Sequence, residues 1–117
     1  MSLCINPNCS KSDNSDNLLF CESCGSELLL EGDYRAIKLL GEGGFGRTFE
    51  VIDVHSNIKR VLKILINNEP KAVESFKREA EVLQILDHPG IPKVEKDDYF
   101  VYFPRDNPQS LHCLVME

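Results

Sequence analysis

No stretch of the 117 residues approaches the roughly 18 consecutive apolar residues that a membrane-crossing helix requires. The chain opens Met1-Ser2-Leu3-Cys4, without the basic region and apolar stretch of a secretion signal, so the expected address is the cytoplasm. Basic residues are few and scattered: 13 Lys and Arg stand against 19 Asp and Glu, for a formal net charge of −6. Binding that neutralises backbone phosphates needs the opposite balance, which argues against nucleic acid as a partner. Internal repeats and low-complexity tracts are missing as well. What is present is an apolar share of 42%, enough for a packed core in a chain of this length.

Of the five cysteines, four lie within the first 24 positions, and Cys113 stands alone beside Leu114 as a small core residue. In a reducing compartment such a group reads as metal ligands or inert core more readily than as disulfides. The composition changes near residue 28, from Asn, Ser, Asp and Cys to regular alternation of apolar and polar positions. That change divides the chain into 1–27 and 28–117. The first segment is too poor in apolar residues to hold itself together without a staple.

Cys4 and Cys9 form one pair and Cys21 and Cys24 another, with 11 residues between the pairs. This is the layout of a four-thiolate zinc site, in which each pair aims two sulfurs at one ion at about 2.3 Å. Gly25 after the second pair permits the tight turn that points backbone N–H groups at thiolates. A disulfide pair is one rival reading. A redox-active Cys-x-x-Cys is another, but the βαβ unit expected beside it is missing. With four protein ligands no coordination position stays open, so the ion would be structural and the ribbon a scaffold or docking surface.

Period-two alternation predicts strands over 34–40 and 48–54 and a nearly continuous apolar strand over 60–66, with His55-Ser56-Asn57 as a turn. A helix is expected over 71–86, ended by Asp87-His88-Pro89-Gly90, and two more strands over 93–103 and 111–116, separated by a loop that contains Asp106, Asn107 and Pro108. The expected fold is α+β: a five-stranded antiparallel sheet with one main helix, preceded by a small zinc ribbon.

Between the first two strands lies Gly41-Glu42-Gly43-Gly44-Phe45-Gly46. A dinucleotide fold would lead such glycines into a helix, but here they lead into another strand, and no Gly-Lys-Ser/Thr follows to suggest a Walker loop. The remaining reading is a glycine-rich hairpin whose backbone N–H groups approach phosphates, with Phe45 at its tip. Lys63 sits among Val61, Leu62, Ile64 and Leu65 in the apolar strand, on the same face as Val61 and Leu65. Burying its ammonium is costly without an anion, unless it snorkels from an edge. At about 100° per residue, Glu79 falls within a helical stripe of Ala72, Phe76, Val82, Leu83 and Leu86, whereas Glu81 projects elsewhere. A solvated carboxylate with i,i+4 partners is the alternative for Glu79; a Lys63–Glu79 ion pair is the expectation. His55 and His112 show no acid-base partners in the sequence.

This constellation resembles the N-terminal lobe of a protein kinase, over residues 34–117. The resemblance implies that Gly41, Gly43 and Gly46 cover the phosphates of ATP, that Lys63 holds the α- and β-phosphates, and that Glu79 pairs with Lys63. It places Val61 over the adenine, Met116 at the gatekeeper position and Glu117 first in the hinge, and His88-Pro89 suits the family. Thr48 departs from the valine usual at its position. Together with the ribbon, the lobe resembles the four-cysteine serine/threonine kinases of cyanobacteria, which implies ATP with Mg2+, structural Zn2+ and protein substrates for the full-length form, with a further protein partner at the ribbon. No His-Arg-Asp, Asp-Phe-Gly or Ala-Pro-Glu segment occurs in these 117 residues. The expectation is a lobe truncated before the catalytic loop, binding ATP weakly or not at all and transferring no phosphate alone. A non-catalytic interaction module is the alternative; a zinc-ribbon nucleic-acid binder is disfavoured by the charge.

Overall fold

The computed structural model describes residues 2–9, 13–44, 46–67, 69–85, 90, 98–105 and 109–116. Among these described residues, seven strands and one helix follow in order: β1 (Ser2–Leu3), β2 (Asp13–Asn14), β3 (Tyr34–Glu42), β4 (Gly46–Asp53), β5 (Lys59–Leu65), α1 (Pro70–Ile85), β6 (Tyr99–Tyr102) and β7 (Leu111–Met116). All seven strands join one antiparallel sheet in the order β2-β1-β3-β4-β5-β7-β6. Phe45, Leu86, His88-Pro89, 93–97, 106–108 and Glu117 lie outside the described residues.

The expected count of five strands is corrected to seven. The two additional strands have only two residues each, too short for period-two alternation to register. They come from the cysteine-bearing segment: Leu3 pairs with Ala36 of β3, and Ser2 and Leu3 pair with Asn14 and Asp13. The β3 edge of the glycine hairpin is thereby met at Ala36, near the start of that strand.

The β4–β5 connection follows from two residues. Asp53 Oδ1 accepts the N–H groups of His55 (2.9 Å) and Ser56 (3.3 Å), and Asn57 adopts a positive φ of 61°, which asparagine tolerates better than most residues. Before the helix, Asn67 Oδ1 accepts the Glu69 N–H at 3.0 Å, and Pro70 takes the first helical position, where its missing N–H costs nothing.

The sheet carries a core on each face. One contains Phe49, Val51, Leu62, Ile64, Cys113 and Val115, to which Ile5 and Leu30 add from outside the hairpin strands. The other contains Leu65 and Leu114 packed under Phe76 and Ala80 of α1, with Ala72, Val73 and Leu83 alongside. The expected helical stripe is therefore corrected in part: Ala80 is buried, whereas Val82 is 47% exposed. Helical angle alone overweights the large Val82 and overlooks a small residue at the closest approach of helix to sheet. A small separate cluster gathers Cys4, Cys21 and Leu28, with Cys9, Leu18 and Cys24 packed against it.

Candidate functional site

The glycine hairpin is closed by a Gly43 N–H to Gly46 O bond of 2.9 Å and by an exposed Arg47–Glu42 ion pair at 3.3 Å. Gly46 is required by its neighbour: a Cβ there would stand 1.9 Å from the carbonyl oxygen of Ile64 on β5. Gly41 is different. It is exposed, and nothing lies within 4 Å of the place its Cβ would take, so no protein atom accounts for a glycine there.

Register places the candidate residues on one face. Gly41 pairs with Thr48, Thr48 with Lys63, and Lys63 with Leu114; Glu50 pairs with Val61, and Val61 with Met116. Directly paired residues share a face, so Thr48, Val61, Lys63 and Met116 stand together on the α1 side of the sheet. Lys63 and Glu79 are brought together: Lys63 Nζ lies 3.3 Å from both carboxylate oxygens. Their side chains are 27% and 45% exposed, so Glu79 flanks the buried stripe of α1 instead of centring it. At this exposure the pair contributes about 1 kcal/mol or less to stability. It orients the ammonium more than it stabilises the fold. Glu81 lies apart, in a groove of about 280 Å³ with Lys77, Ala80, Gln84 and Tyr99.

The four cysteines converge as well. Cys4 and Cys24 Sγ are 3.5 Å apart, Cys9 and Cys21 Sγ are 3.6 Å apart, and all four sulfurs lie within 4.8 Å of one another. Tetrahedral zinc with Zn–S bonds of about 2.3 Å separates its sulfurs by about 3.8 Å, so the donor set fits such an ion. Gly25, at φ 78°, donates its N–H to Cys21 O at 2.9 Å, which makes the tight turn. Burial raises the Cys21 thiol, but the N–H groups of Cys24 and Ser23 and the Asn14 amide outweigh it and bring the thiol down to about 6. Cys24 is also lowered: Ser26 and Asn6 outweigh its burial. Cys4, more deeply buried, is pushed far up by desolvation. The field of a cation would be needed to ionise all four.

Several polar residues around these sites carry no sequence signal. Asn6, Asn14 and Ser26 are buried beside the cysteines. Asn14 Nδ2 points at Cys21 Sγ at 3.5 Å while its Oδ1 accepts the Glu22 N–H, and Ser26 Oγ lies 3.2 Å from Cys24 Sγ. Asp98 is buried between Arg60 (3.6 Å) and the Tyr34 hydroxyl (3.5 Å). His55 and His112 both have partners, contrary to the sequence reading. His55 Nε2 meets Gly32 O at 3.0 Å and Asp33 Oδ1 at 3.2 Å, and His112 Nδ1 lies 2.6 Å from the Tyr99 hydroxyl. Cys113 is fully buried, and desolvation pushes its thiol up, as for an inert core residue.

A single antiparallel sheet with one helix, joined by a strand lysine paired to a helical glutamate, has the form of a protein-kinase N-terminal lobe. The chain's homologues are serine/threonine protein kinases of cyanobacteria. Serine/threonine-protein kinase B of Synechocystis sp. is 40% identical over 109 residues, covering 86% of this chain and 19% of that kinase. Serine/threonine-protein kinase F of the same organism is 34% identical over 132 aligned positions, covering 92% of this chain and 26% of that kinase. A further relative, serine/threonine-protein kinase pkn2 of Myxococcus xanthus, is 31% identical over 77% of this chain and 10% of that kinase. The chain thus spans about a fifth to a quarter of the length of its two cyanobacterial relatives. No family model matches it. Among the described residues, no helix is long and apolar enough to cross a membrane.

Proposed function

We propose that this chain is the zinc ribbon and ATP-binding lobe of a serine/threonine protein kinase, with residues 1–27 forming the ribbon and 28–117 the lobe. The observation that carries the reading is the Lys63–Glu79 pair on the sheet face that also bears Gly41 and Thr48. In this reading the N–H groups around Gly41, Gly43 and Gly46 cover the triphosphate. Lys63, oriented by Glu79, contacts the α- and β-phosphates. Val61 and Thr48 lie against the adenine from above, while Met116 and Glu117 border it at the hinge. Thr48 keeps a branched shape but adds a hydroxyl where the adenine would meet apolar surface. Magnesium, when bound with ATP, neutralises phosphate charge, but the Asp-Phe-Gly aspartate that holds it in kinases has no counterpart in these residues.

Phosphoryl transfer to protein serine or threonine is accordingly assigned to a polypeptide that joins this lobe to a catalytic loop. Residues 1–117 alone are expected to transfer none. The ribbon would hold one Zn2+ through Cys4, Cys9, Cys21 and Cys24 and offer a surface to a protein partner, and a cytoplasmic address fits the reduced cysteines. Two measurements test the reading. Elemental analysis of protein purified without added metal should give one zinc per chain; no metal overturns the ribbon. Calorimetry with Mg-ATP on the lobe joined to a catalytic loop should show binding that Lys63→Met weakens at least tenfold. Unchanged affinity overturns the nucleotide site.

A further inference from the structure

The four-cysteine segment is fastened to the sheet at two places. At the β3 edge, Leu3 pairs with Ala36, and the Arg35 guanidinium donates to Leu18 O at 2.6 Å and to Ser2 Oγ at 3.0 Å. At the β6–β7 end, the Tyr102 hydroxyl donates to Glu27 O at 2.5 Å, and the Arg105 N–H donates to Ser26 Oγ at 3.0 Å. Ser26 has a double engagement. The oxygen that accepts from Arg105 also stands 3.2 Å from Cys24 Sγ, and Ser26 is 1% exposed, so water does not compete for it.

The chemistry of a hydroxyl lets that one position serve both contacts at once. A serine hydroxyl has one proton and two lone pairs. Ser26 Oγ accepts the Arg105 N–H on one lone pair, which leaves its proton to face Cys24 Sγ. A short chain of hydrogen bonds then runs from a metal ligand through Ser26 to the backbone of the β6–β7 connection. Tyr102, the last residue of β6 and paired with Leu111 of β7, secures the next residue, Glu27. β7, which that connection feeds, carries Leu114 opposite Lys63 and Met116 opposite Val61.

We propose that Ser26 and Tyr102 are positioning residues that couple the four-cysteine metal site to β7, so that filling the site stiffens the strands flanking the nucleotide face. The inference rests on the metal reading above and adds to it a path and two residues. It treats the ribbon as a brace for the sheet, in addition to any surface it offers a partner.

Amide hydrogen exchange on the intact chain, loaded with zinc or treated with chelator, tests the coupling. In the unmodified chain, removing the metal should speed exchange in β7 and in 34–38 of β3 by roughly fivefold or more, the effect of losing one net hydrogen bond. Ser26→Ala and Tyr102→Phe should show in their metal-loaded forms the fast β7 exchange of the metal-free chain, while 34–38 stays protected through the separate β3 contacts. Ser26→Thr, which keeps the hydroxyl, should restore β7 protection. Cadmium loading checks the site itself: its thiolate absorbance should be unchanged in Tyr102→Phe, which a collapsed ribbon would not allow. Zinc bound but β7 exchange indifferent to chelation refutes the coupling alone. A chain that binds no zinc refutes the metal reading and the coupling with it. Ser26→Thr behaving like Ser26→Ala removes the hydroxyl from the path and overturns its part.

Discussion

Two glycines of one motif should respond oppositely to the same methyl group. At Gly46 a Cβ would stand 1.9 Å from Ile64 O and 3.0 Å from the backbone atoms Ile64 C and Ile66 N, none of which can rotate away. Relief requires β4 to move off β5 at the start of a ladder that runs from Gly46 with Leu65 to Ile52 with Lys59. Overpacking of this kind costs about 1–3 kcal/mol when side chains can yield, and the upper end applies where the obstacle is backbone. With about 4 °C lost per kcal/mol in a chain of this size, Gly46→Ala should lower the melting temperature by about 12 °C. At Gly41 a Cβ meets nothing within 4 Å, and the backbone is outside the left-handed region. Restricting the unfolded chain there gains about 0.4–1 kcal/mol, so Gly41→Ala should be neutral or slightly stabilising. Urea titration of the two variants with a common slope reads the difference directly, about 3–4 kcal/mol between them. Equal losses in both variants would refute the reasoning, as would a Gly46→Ala midpoint within about 0.5 kcal/mol of the unmodified chain. In the lobe joined to a catalytic loop, the order should reverse for function: Gly41→Ala, stable as it is, should weaken ATP through contact with the phosphates.

Other perturbations separate stability from chemistry in the same way. Glu79→Gln should cost under about 1 kcal/mol by urea midpoint, because the pair with Lys63 is partly exposed, yet it should reduce phosphoryl transfer in the catalytic polypeptide; a larger loss of stability would mean the pair holds the helix. Asp98→Ala should destabilise by about 1–3 kcal/mol, since it removes the carboxylate beside Arg60 and Tyr34 in a buried setting, and a change below about 0.5 kcal/mol would show that water replaces it. In metal-free protein, Cys21 is held near 6 against an ordinary value of 9.0. A depressed thiol stabilises fully above pH 9.0 and loses that contribution as pH falls through about 6, so the metal-free melting temperature should decline between those limits; a flat profile would refute the thiolate assignment.

The placement of Lys63 on one face with Val61 and Leu65 was legible because strand period is fixed at two, whereas the position of Thr48 and Met116 on that face depends on cross-strand register, which period alone does not supply. The cysteine group was legible from spacing, since short loops between sulfurs leave few ways to point them. The helix was readable only in outline. Its buried residues Phe76 and Ala80 are selected by where α1 meets Leu65 and Leu114, and an alanine at that contact has no signature in an apolar count. Illegible altogether were the contacts of residues 2–27 with the sheet. They run through backbone groups, Leu18 O, Glu27 O and the N–H of Arg105, and every residue type offers those.

That last class of contact bears on why a strand as short as β1 is present at all. Two residues cannot hold a strand by their own pairing, and the ladder from Leu3 to Ala36 is a single bridge. It persists because both of its ends are secured from elsewhere: Ile5 is buried in the main core, and the Arg35 side chain grips Ser2 and Leu18 together. β3 in turn is irregular, with register shifts between Ala36 and Lys38 and between Leu39 and Gly41. Bulges bend and twist a strand, and a bent edge strand leading into an exposed glycine turn is the part of this sheet with least to fix it. The bridge from β1 lands on Ala36, at the first of those shifts. A brace at that point limits bending at the root of the hairpin while leaving 41–44 exposed, which is where a loop that closes over phosphates would have to remain adjustable.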